Sequence, residues 1–111
     1  MDEQRDRMRL ALKKLAFAKS GDVARGGLLR DISSGGAGLQ FVNPMGAVEH
    51  PFTKDDTVEI IIDGFQSLNA KVVRTEQESI FVAFEINNDQ EEMLIAEIMA
   101  AANDIVLEER A

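Results

Sequence analysis

Six short apolar runs, most of them closed by turn formers, occupy residues 11 to 86, and the one long helical pattern comes after them. Ala11 to Lys19 reads ALKKLAFAK; Leu15 and Phe17 share one face at strand spacing but Leu12 is out of step, so taken alone the run suits helix or strand. Ser20-Gly21-Asp22 follows and favours two strands joined by a hairpin. Val23 to Asp31 is expected as the second strand, with Gly26 and Gly27 marking a bulge or a close backbone approach. Ala37 to Val42 is a third. Asn43 to Phe52 holds both prolines and the single histidine and reads as a longer loop, because proline cannot donate to a ladder. Thr57 to Ile62 is rich in β-branched residues, and Asp63-Gly64 after it is a two-residue hairpin signal. Phe65 to Arg74 and Ile80 to Ile86 complete the set. Six strands with local connections predict a mainly β fold, a six-stranded antiparallel β-barrel closed or nearly closed, since closure removes exposed edges.

A C-terminal α-helix is expected to follow, over residues 88–109. Asp89 with Glu92 three residues on has the spacing of a capping box. Leu94, Ile98, Ala101 and Ile105 form one apolar stripe, and Ile95, Met99, Ala102 and Val106 form a second beside it. Two readings stand: one stripe packs on the barrel while the other half-covers its mouth, or the second stripe is a docking face for a partner or another copy. At the other end, residues 1–10 carry arginines and little apolar content and read as a flexible basic arm. The organisation expected is therefore a single domain over residues 1–111, with the arm at 1–10, the barrel at 11–87 and the helix at 88–109.

Charge is divided along the chain. Residues 1–30 hold eight Lys and Arg against four acids, a net of +4, whereas residues 31–111 hold four against sixteen, a net of −12. A basic leading segment on an acidic body suits a small anion and repels long nucleic acid; charges scattered on a solvated surface are the plain alternative. The chain lacks cysteine, so disulfides and thiolate metal sites are excluded. No apolar run reaches the roughly 20 residues of a membrane helix, and MDEQRDRMRL lacks the apolar stretch of a secretory signal. A soluble cytoplasmic protein without membrane insertion is expected.

An enzyme is not expected. His50 lies alone between Glu49 and Pro51 and reads as a solvated polar residue. No nucleophile elbow, phosphate-cradling loop, dinucleotide fingerprint or convergent metal-ligand set is present. What stands out is the stretch RDISSGGAGLQF, in which Asp31, Ser33 and Gly36 spell D-x-S-x-x-G, together with Arg5 and Arg9, which spell R-x-x-x-R. An arginine fork matches guanine O6 and N7 and also binds phosphate. A carboxylate accepts from guanine N1–H and N2–H, a hydroxyl adds a bond there, and glycines let a ligand approach the backbone. Together these groups would grip a guanine nucleotide from two edges. The alternatives are ordinary turn residues at Asp31 and Ser33 and a solvated terminus at Arg5 and Arg9. Arg25, Arg30 and Arg74 read as surface charges.

This arrangement resembles the PilZ domain family, whose pattern is R-x-x-x-R in an N-terminal arm, a spacer, then [DN]-x-S-x-x-G at the end of a barrel strand. The resemblance spans nearly the whole chain: arm, six-strand pattern and C-terminal helix. It implies a stand-alone receptor or adaptor for the bacterial second messenger cyclic di-GMP, with no cofactor. Arg5 and Arg9 would clamp guanine and phosphate, Asp31 and Ser33 would hold the guanine edge, and Gly36 would allow the close turn. Gln4 stands where a basic residue in the family accompanies two intercalated ligand molecules, which leans toward one. The arm would order on ligand binding and present a surface to a downstream protein partner, with outputs such as motility, exopolysaccharide synthesis or biofilm control. The alternative is a PilZ-like interaction module that uses no nucleotide and acts, or weakly self-associates, through its C-terminal helix.

Overall fold

The structure is a computed structural model and describes residues 14–110, with side chains through residue 102; the expected arm lies outside the described residues. The elements are β1 (Leu15–Ser20), β2 (Val23–Ser33), β3 (Gly36–Asn43), β4 (Gly46–Ala47), β5 (Thr57–Ile62), β6 (Leu68–Glu76), β7 (Ser79–Phe84) and α1 (Asn88–Arg110). The strands run in the order β2-β1-β5-β6-β7-β3-β4, and β2 also pairs with β3. That last pairing closes six strands into an antiparallel barrel, as expected, with the two-residue β4 attached to β3 inside the segment read as a loop.

The barrel is filled by side chains that alternate in size across the seam. Ala16 and Ala18 of β1 point inward opposite Ile62 and Ile60 of β5, so that the small pair makes room for the large one. Leu15 and Phe17 therefore lie on the outer face and are exposed. Leu39, Phe41, Leu68, Val72, Ile80 and Val82 complete most of the interior. Burying each such side chain stabilises the fold by about 1.5–3 kcal/mol before entropic costs.

Gly26 and Gly27 do not form a bulge: β1 and β2 pair without a break from Leu15↔Leu28 to Ser20↔Val23. The second reading of these glycines, close approach, is what the packing requires. A Cβ on Gly27 would meet the Gln40 carbonyl oxygen, and one on Gly26 would lie 2.8 Å from the Phe17 ring.

The connection from β5 to β6 also departs from expectation. Asp63-Gly64 does not make a two-residue hairpin; residues 63–67 form a longer link that opens with a turn, Phe65 N–H donating to Ile62 O at 2.9 Å. Only Gly64 takes a positive φ, +84°, as a type II turn requires, whereas the tight hairpin turn needs it at both positions. The extra length has a tertiary cause. Phe65 packs on the core, and Gln66 reaches α1, its N–H donating to Glu97 Oε2 and its side-chain amide to Gln90 O, both at 3.1 Å.

The helix docks through its first stripe: Leu94 and Ile98 are buried and Ala101 packs against the core, while Ile95 and Met99 are exposed. Its capping box lies two residues earlier than expected. Asn87 Oδ1 accepts from Gln90 N–H at 2.8 Å and Gln90 Oε1 accepts from Asn87 N–H at 3.2 Å. The Asn87 carbonyl accepts the first helical bond, from Glu91 N–H at 2.9 Å, which leaves Asp89 inside the first turn, where its charge complements the helix dipole.

Candidate functional site

Strict alternation would put Asp31 on the same face as Leu29, inside the barrel. A β-bulge prevents this. Leu29 pairs with Leu39 and Asp31 pairs with Gly38, so Arg30 and Asp31 together oppose one residue of β3. Leu29 and Ile32 both stay inside, and Asp31 turns to the outer face. Burying a carboxylate in the apolar interior would cost several kcal/mol, about 3 or more, so the bulge also protects the core.

The same device recurs on β6. Val72 pairs with Val82 and Arg74 pairs with Phe81, with Val73 as the extra residue. Val72 stays inside and Arg74 faces out. Because β2, β3, β7 and β6 are neighbours in that order, the two bulges complete one outward row across four strands: Asp31, Gly38, Phe81, Arg74.

Gly38, without a side chain and buried against the Phe81 ring, lies at the centre of that row. A Cβ there would lie 3.0 Å from the Phe81 ring and 3.3 Å from Asp31 Oδ1, so ring and carboxylate converge on the same point. The Arg74 guanidinium lies over Phe81 at 4.1 Å from the ring centroid, and that of Arg30 is 5.8 Å from it. Glu76 pairs with both arginines, at 3.9 Å to Arg30 and 3.8 Å to Arg74. Arg30 and Arg74 are thus members of an organised cluster rather than scattered surface charges. Nothing local in the sequence marks this cluster; the available signal is Phe81, an aromatic residue at an outward position of IFVAFEI between two buried neighbours.

The other two residues of D-x-S-x-x-G are placed differently. Ser33 is 1% exposed, and its Oγ accepts from Gly35 N–H at 3.2 Å, the geometry of a serine-stabilised turn. Gly36 is needed by the barrel itself: a Cβ would run into the Val82 carbonyl oxygen on β7. Asp31, Ser33 and Gly36 are therefore brought together at the β2–β3 hairpin, whereas Arg5 and Arg9 lie outside the described residues.

His50 is not a solvated loop residue. Its Nε2 lies 2.8 Å from Glu76 O and 3.0 Å from Ser79 O, and its Nδ1 accepts from Phe52 N–H at 3.1 Å. These partners require the tautomer with hydrogen on Nε2. The ring also packs against Phe41 and Phe52, at centroid distances of 5.1 and 5.9 Å. It pins the segment after β4 to the β6–β7 hairpin. Among the described residues no group of three His, Cys, Asp or Glu side chains could hold a metal ion, and no helix is long and apolar enough to cross a membrane.

Comparison with known proteins matches the PilZ domain model to residues 3–100. The chain belongs to the PilZ domain family. Solved structures share the fold of this PilZ domain at low identity. The PilZ domain of CeSA from a cellulose-synthesizing bacterium is 19% identical with a TM-score of 0.67, over 85% of this chain and 97% of that one. The PilZ domain of YcgR from Escherichia coli, solved with c-di-GMP, is 15% identical with a TM-score of 0.63, over 96% and 97%. The Bacillus subtilis inhibitor of motility MotI/DgrA is 18% identical with a TM-score of 0.61, over 89% of this chain and 52% of that one. The search of curated proteins returned no match.

Proposed function

We propose that this PilZ domain is a binding module for cyclic di-GMP and not an enzyme. The observation that carries the reading is the bulge at Arg30 and Asp31, which turns the one acid of D-x-S-x-x-G outward beside a half-buried ring and two guanidinium groups. The family membership and the YcgR PilZ domain solved with c-di-GMP support it. Asp31 accepts from the Watson–Crick edge of one guanine. Ser33, whose oxygen already accepts from Gly35, contributes its hydroxyl proton. Gly36 keeps the hairpin flush against β7. Arg5 and Arg9 close from the arm on guanine and phosphate. Ordering that arm costs about 1–2 kcal/mol per residue fixed, offset by charge-assisted bidentate bonds. The surface made of arm, barrel and ligand is then read by a protein partner in the cytoplasm.

Calorimetric titration with cyclic di-GMP tests the reading. Arg5→Ala and Arg9→Ala each weaken binding by about tenfold or more, and Asp31→Ala weakens it and reduces the preference for guanine over adenine dinucleotides. Absence of heat with tens of micromolar wild-type protein, roughly 50, at moderate salt would sink it. A second reading, an interaction module working through the helix, is favoured by the exposure of Ile95 and Met99 on α1. Light scattering with and without ligand separates self-association from ligand binding.

A further inference from the structure

Phe81, Arg74, Arg30 and Glu76 have no part in the two sequence motifs, yet the fold assembles them beside Asp31. Phe81 sits between buried Ile80 and Val82 but faces outward, so the core does not claim its ring. Arg74 faces the same way because of the bulge at Val73. A guanidinium stacked on a ring at 4.1 Å from its centroid is a flat cationic surface, the kind on which purine bases stack. Gly38, buried against the Phe81 ring, lets ring and Asp31 carboxylate come close together, so base stacking and base-edge recognition fall in one row.

The electrostatics point to the same ligand chemistry. Two guanidinium groups share one carboxylate, and at 3.8 and 3.9 Å both pairs are longer than a direct hydrogen bond. All three side chains are about half or more exposed, so the pairs are weak. Glu76 thus sits where a phosphate could replace it at small cost. We propose that Phe81 and Arg74 form a stacking wall for a purine base of the bound nucleotide, with Arg30 beside them for its phosphate, and that Glu76 is the internal counter-ion that the phosphate displaces. This rests on the cyclic di-GMP reading of the same site.

The test is titration of the full chain with cyclic di-GMP, comparing wild type with Arg74→Met, Phe81→Leu and Glu76→Gln. Arg74→Met and Phe81→Leu each weaken binding by about fivefold or more, the scale of lost base stacking. Glu76→Gln acts in the opposite direction and tightens binding by about threefold at low salt, less at high salt. The ring signals of Phe81, followed by NMR in phenylalanine-labelled wild-type protein, shift on ligand addition as a purine stacks beside them. Arg74 is exposed, so its variant and the NMR readout decide the matter even if Phe81→Leu impairs folding. Binding by the wild type with Arg74→Met and Glu76→Gln unchanged within about twofold, and no movement of the Phe81 signals, overturns this inference and leaves the functional reading standing. No binding by the wild type overturns the functional reading and this inference with it.

Discussion

Two walls of one barrel follow different rules. On the β1–β5 side the register is unbroken over Ala16↔Ile62 to Lys19↔Glu59, and alternation is plain: alanine and isoleucine inside, Leu15, Phe17 and Ile61 exposed outside. On the side made by β2, β3, β7 and β6, two bulges interrupt the ladder and bring Asp31 and Arg74 onto the outer face around Gly38 and Phe81. The plain wall obeys its sequence period. The bulged wall breaks the period twice and gathers an acid, a ring and two guanidinium groups as a result. A bulge moves a charged residue from the core side to the outer side without disturbing the apolar residues around it, so stability and recognition are kept apart on one strand.

The strongest test of this contrast lies within the bulged wall, between two glycines that differ by two positions. Gly36 serves the barrel and Gly38 serves the row. Gly36→Ala forces β3 away from the Val82 carbonyl and costs about 2–4 kcal/mol in denaturant unfolding. Gly38→Ala meets the movable Phe81 ring and costs about 1 kcal/mol, while weakening cyclic di-GMP binding by displacing ring and carboxylate. Equal loss of stability in the two variants would erase the distinction.

A smaller effect is expected where the bulged wall is held from below. His50→Ala removes the donor to Glu76 O and Ser79 O and the acceptor for Phe52 N–H. It lowers unfolding free energy by about 1–3 kcal/mol, and hydrogen exchange should show the β6–β7 hairpin opening first. Uniform exchange across both walls would show that His50 has no particular hold on that hairpin.

The smallest effects belong to the plain wall. Phe17→Ser and Ile61→Thr change stability by about 1 kcal/mol or less, because both side chains are already exposed, and leave cyclic di-GMP affinity unchanged. A marked loss of affinity in either would extend the site beyond the bulged wall and break the comparison.

What the sequence determined by itself is local. Strand runs, the loop with both prolines, the helix stripes and the D-x-S-x-x-G spacing are set by residues within a few positions of one another, and six strands with short links leave a barrel as the simplest way to lose the edges. Several readings failed because a distant partner overrides them, whereas the capping box moved for a local reason, the Asn87–Gln90 pair. Asp63-Gly64 could not close a tight hairpin while Gln66 had to reach Glu97 and Gln90. His50 could not be recognised as structural without Phe41, Glu76 and Ser79 around it. Gly36, read as clearance for a ligand, also makes clearance for a strand over forty positions away. Only closure of the barrel decided that Asp31, Gly38, Phe81 and Arg74 stand in one row, because they come from four strands whose order is not their order in the chain, and because each bulge is a compromise between two ladders that no single stretch of sequence contains.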